Sequence, residues 1–164
     1  MSGPADTFVR VPAPNSLTSL MLRAVAQGEP LVVALLVDQR ADPNFLSDQD
    51  FVMLVFPFRP PPASQALRTA VKQACSSLKP KAYETIVRYL ISKGVTWGDA
   101  AEVALQGQKF DIVRAFLEHE GADVKKLNCC VAWLLASCAA HNQTGLLDLA
   151  ISKGAEINAL GAFG

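Results

Sequence analysis

Cys138 and His141 stand three residues apart in an Ala- and Leu-rich run, with Cys129 and Cys130 upstream and Cys75 further off. A thiol beside an imidazole is the raw material of nucleophilic catalysis, and mixed Cys/His sets bind zinc. This spacing serves neither chemistry. Structural zinc sites use paired ligands a few residues apart at both ends of a loop, whereas adjacent cysteines on a helix point about 100° apart. A cysteine nucleophile needs its base held by a third group and donors for the oxyanion, and no such residues accompany Cys138 and His141. The four thiols read instead as small apolar fillers between helices. His119, flanked by Glu118 and Glu120, reads as a solvated residue near a helix end, where the dipole favours a cation. The glycines at Gly94–Gly98 and Gly154–Gly164 lack the lysine and preceding strand of a phosphate loop. The residues therefore predict no enzyme, with no catalytic residue, cofactor or metal.

The elements that carry these residues repeat. Four apolar phrases end in the same kind of stop: Leu35–Asn44, Tyr89–Thr96, Phe116–Val124 and Leu149–Asn158. A helix commonly ends on a left-handed residue, which glycine adopts without a Cβ clash; Gly94, Gly121 and Gly154 fit that place. Arg40 holds it in the first copy, so either a non-glycine residue takes positive φ there or the turn differs. Before each stop lies a stripe at three- and four-residue spacing, such as Val32, Val33, Leu35, Leu36 and Val37, or Ile112, Val113, Phe116 and Leu117. A second helical phrase sits upstream of each: Leu20–Gln27, Leu67–Ser76, Asp99–Gln106 and Val131–Ala140. Each unit is thus a helix pair, and helices of roughly ten residues hold only by packing on one another.

The run Ala24–Asn44 and the phrase Gly154–Ala159 resemble the ankyrin repeat family, over about residues 17–160. Gly121 to Gly154 spans 33 residues, the period of that family; Gly94 to Gly121 spans 27 and Arg40 to Gly94 spans 54. The short interval predicts a clipped first helix in the third unit and the long one an insertion of about twenty residues. The Thr-Pro-Leu-His phrase that opens the family's first helix is missing throughout. The expected fold is all-α, an ankyrin-like helix-pair solenoid with an irregular insertion after the first repeat. Its repeats fall at about 17–45, 65–97, 98–127 and 128–160, with the insertion at 46–64, an extended or disordered arm at 1–16 and a tail at 161–164.

The insertion is ambiguous by itself. Ser47–Asp50 reads as a helix start followed by Phe51, Leu54, Val55 and Phe58 at helical spacing, yet Phe51–Phe56 is equally rich in strand formers. If it is a helix, it is the first helix of the second unit, and Gln65–Ser76 becomes an extra element wedged before Tyr83–Ser92. At the far end, Ala159–Gly164 reads as the start of a further turn, so the stack is expected to end on an open apolar edge covered by a partner or by more chain.

Fifteen basic residues balance fifteen acidic ones, which removes the global field that gathers nucleic acid. No apolar stretch approaches the roughly twenty residues of a membrane-spanning helix, and Met1–Pro14 has no secretory pattern. The expected setting is cytoplasmic or nuclear, or an organelle where a targeting segment has been removed. The resemblance implies a non-catalytic scaffold or small structural subunit that meets other proteins in a multi-subunit assembly, with no nucleic acid and no direct membrane insertion. Its alternative is the regulatory or ligand-binding portion of a longer enzyme. In ankyrin-like stacks partners meet turn tips and the concave face, which correspond here to Phe45, Trp97, Asp99, Lys125 and Lys126; Phe51 and Phe56 of the apolar insertion join them.

Overall fold

The computed structural model describes residues 16–46, 63–97, 99–119, 124 and 131–156. Among them are eight helices and no strand: α1 Leu17–Gln27, α2 Pro30–Asp38, α3 Gln65–Ser76, α4 Pro80–Ser92, α5 Ala100–Gln106, α6 Phe110–Glu118, α7 Val131–Ala140 and α8 Thr144–Ser152. They pack as four consecutive pairs. The first helices stack α1 on α3 and α3 on α5; the second helices stack α2 on α4, α4 on α6 and α6 on α8. Gln65–Ser76 is therefore the first helix of the second pair and not an extra element. The 47–62 segment, the 1–15 arm, the C-terminal 157–164 and Gly121 lie outside the described residues.

Local chemistry accounts for the boundaries. Ser16 and Ser64 cap α1 and α3, each hydroxyl accepting the N–H three residues on, at 3.1 and 3.2 Å. Pro30 and Pro80 open α2 and α4, where the missing N–H costs nothing. The stops after α2, α4 and α8 share one geometry: Arg40 at φ 73°, Gly94 at φ 73° and Gly154 at φ 94°. The first unit thus keeps the left-handed stop despite its side chain. Replacing Arg40 with Gly should stabilise the fold by about 0.5–1 kcal/mol, the strain relieved less the entropy of a looser unfolded chain. Denaturant titration reads this directly, and an unchanged midpoint would show the strain to be absorbed.

The core explains why first helices are rich in alanine. Ala66, Ala70, Ala74, Ala100, Ala101 and Ala104 are buried along α3 and α5, letting the two helices approach closely. Bulk comes from Ile86, Leu90, Phe116, Leu117 and Leu146 of the second helices together with Met21, Leu67 and Leu134 of the first. The third pair has the expected clipped first helix: α5 has 7 residues, against 12 in α3. No helix among the described residues is long and apolar enough to cross a membrane.

Candidate functional site

Antiparallel pairing gives the stack two ends, one holding the links between units and the other holding the turns within each pair. At the linking end, Asp42 N–H donates to Thr18 Oγ1 (3.0 Å) and Asn44 N–H to Asp42 Oδ1 (2.9 Å), folding the exit from α2 back onto α1. Asn44 Oδ1 accepts Thr96 N–H at 3.0 Å, Phe45 C=O accepts Gln65 N–H at 3.0 Å, and Thr96 C=O accepts Ser64 N–H at 3.2 Å. Asp99 Oδ1 accepts Ala63 N–H at 3.0 Å and the Arg68 guanidinium at 3.1 Å.

Three of the residues proposed from sequence as partner contacts therefore join units to one another. Phe45 is half-buried in the first link. Asp99 ties the third unit to the start of α3. Trp97 is half-buried as a lid, its ring 5.5 Å from Phe116 and 5.9 Å from His119. Phe51, Phe56, Lys125 and Lys126 lie outside the described residues.

The opposite end holds a groove of about 440 Å³. The chain builds it from the turns that lead into second helices. Gln108 and Asn142 take left-handed backbone at φ 54° and 55°, bending the chain so that Lys109 and Gln143 present the starts of α6 and α8. Pro80 and Lys81 at the start of α4 form one wall, and Lys109, Phe110 and Asp111 the other, with Gln143 closing the far side. Phe110 is braced by the His141 ring at 5.2 Å, whose Nδ1 lies 2.9 Å from Ser137 C=O. Both signs of charge line the groove, Lys81 and Lys109 with Glu84 and Asp111, and Glu84 is paired with Arg88 at 3.0 Å. Sequence reading passed over this groove, although the cations Lys79, Lys81 and Lys109 recurring around those turns were its signal.

Of the thiol residues, Cys75 and Cys138 are described, while Cys129 and Cys130 lie outside the described residues. Cys138 is buried in the core and Cys75 half-buried; burial pushes both thiols above their ordinary pKa, against an opposing pull from Arg114 on Cys138 and from Lys109 on Cys75. A raised thiol pKa leaves less thiolate, the form that attacks and binds metals. Among the described residues, no three His, Cys, Asp or Glu side chains come together as a cation site. Comparison of the chain with protein-family models, curated proteins and solved structures finds no match.

Proposed function

We propose that this chain is a non-catalytic protein-interaction scaffold, a small subunit of a larger assembly, built as a divergent ankyrin-like stack. One observation carries the reading: the groove is assembled from three consecutive units, with walls from α4 and α6 and an edge from the turn before α8. Such a surface exists only because the pairs stack, and extended surfaces across repeats are what these architectures offer to partners. Alternating Lys81, Glu84, Lys109 and Asp111 around Pro80 and Phe110 suit an extended peptide segment carrying both charges, anchored by an apolar side chain beside Phe110. Balanced overall charge argues against nucleic acid as the occupant. The links at the other end, with Phe45, Trp97 and Asp99, hold the walls in register and contribute to binding through that rigidity.

The test starts from a partner captured by the native chain and identified by mass spectrometry, then bound with purified components. Reversing Lys81 and Lys109 together to Glu should weaken it about tenfold, roughly 1.4 kcal/mol, with the thermal transition unchanged. Unchanged affinity would remove the groove as the site, and a chain that captures nothing would remove the scaffold reading.

A further inference from the structure

Superposing the second helices on their last residues, Asp38, Ser92, Glu118 and Ser152, puts equivalent positions side by side. Val32 then matches Ile86, Ile112 and Leu146, which are 0%, 3% and 0% exposed, yet Val32 is 44% exposed. Leu35, 60% exposed, matches half-buried Tyr89 and Leu149 and buried Ala115. Tyr89 shows what covers that position inside the array, because its hydroxyl reaches back to Ala34 C=O on the preceding second helix at 3.3 Å. The first helices agree: aligned on their buried triplets, Leu20 at 37% exposure matches Ala66 and Ala100 at 1% and 0%. The outer flank of the first pair is thus a stacking face that every later pair buries. It is not built as a polar cap either. Leu31, 85% exposed, stands where the later units carry Thr85, Asp111 and Gly145.

From this we infer that the face is occupied by the same face of a second copy, in a two-fold, antiparallel α2–α2 contact. The charges choose this mode over stacking one copy behind another. Inside the array Arg88 of α4 meets Glu118 of α6 at 3.3 Å; a copy stacked head-to-tail would set Asp148, the equivalent of Arg88, against Asp38, the equivalent of Glu118. Two carboxylates would then meet. In a two-fold arrangement the apolar run from Pro30 to Val37 lies against its twin with the Leu31–Leu35 ridge in the opposing groove. Its flanking charges then complement one another, Glu29 before the helix on one copy and Arg40 after it on the other, while Asp38 stays with Lys93 at 3.2 Å. Two helices of this length present a face of about 15 by 20 Å, so the association belongs to the weak class, with a dissociation constant on the order of tens of micromolar. This inference does not depend on the groove at the turn end.

Sedimentation velocity on the full chain tests it. At about 5 μM the mass should be the 17.5 kDa of one chain, rising toward twice that by about 500 μM. Leu31→Asp with Leu35→Asp should hold the chain monomeric across the range, with an unchanged circular dichroism spectrum, since both side chains are exposed. Glu29→Arg should weaken association at least threefold, and adding Arg40→Glu should restore it. A chain still monomeric at 500 μM, a dimer that survives the two aspartates, or a charge swap that fails to restore association would each overturn the inference, the first leaving the face to a different partner.

Discussion

Gly107→Ala should destabilise the protein by about 1–3 kcal/mol, although nothing in the backbone at this position calls for glycine. Its φ of −78° and ψ of 2° are open to any residue, and at such a site a Gly-to-Ala change ordinarily adds about 0.4–1 kcal/mol. Space decides the sign instead. A Cβ on Gly107 would run into Cys75 Sγ on α3 and lie 3.2 Å from Cys75 Cβ and 3.4 Å from Val103 C=O. Cys75 has one side-chain torsion with which to escape, and turning it carries the sulfur away from Val103 C=O, 4.0 Å off, where α3 meets α5. Cys75→Ala alone should cost less than about 1 kcal/mol, since the thiol is half-buried. Combining the two should recover at least about 1 kcal/mol, a coupling that only residues in contact show. A neutral Gly107→Ala, or strictly additive effects in chemical denaturation, would mean that the two helices do not approach this closely.

The contact also marks the boundary of what sequence can reveal. The helix pairs and their stops were legible because their causes are local: apolar stripes at three- and four-residue spacing, alanine- and leucine-rich phrases and a left-handed residue after the last turn. Even the clipped α5 followed from the spacing of Gly94 and Gly121 alone. Pairing was harder. The expected repeat at 65–97 pairs Gln65–Ser76 with the following helix, but a helical reading of 47–58 would have made it an extra element, and its packing against Pro80–Ser92 resolves the second unit.

The surroundings of the candidate sites are set at longer range. Trp97 and Asp99 looked available because a residue just past a stop lies on a turn, but periodicity cannot show that Phe116 or Arg68 comes to meet it. The apolar run in α2 was read correctly as a helix face. What that reading could not supply was which of its flanks has a neighbour, because stripes in stacked helices look alike wherever the stack ends. An open edge was expected at the C-terminal end, where 157–164 lie outside the described residues; within the described residues Leu20, Leu31, Val32 and Leu35 of the first pair are exposed, as are Trp133 and Ile151 of the last.

Asp99→Ala separates these roles most sharply, and its expected cost is about 2–3 kcal/mol of stability. One carboxylate oxygen holds two groups from a unit more than thirty residues earlier: Ala63 N–H at 3.0 Å and the Arg68 guanidinium at 3.1 Å. Ala63 is fully buried, so truncating the acceptor strands a buried donor, the costly way to lose a hydrogen bond. The partly exposed ion pair with Arg68 adds little by itself, since solvent screens it. Asp99→Asn keeps an oxygen for Ala63 N–H while giving up the charge, so it should recover more than half of the loss. That order, wild type above Asn above Ala, identifies the N–H bond as the larger contribution; equal losses for Asn and Ala would assign it to the charge. The groove end should not register the change. Partner affinity measured well below the unfolding transition should stay within about twofold in Asp99→Asn, because the side chain acts at the links, a helix length away from Lys81 and Lys109. An affinity that falls while stability holds would return Asp99 to the role its turn position first suggested, a contact made with the partner itself.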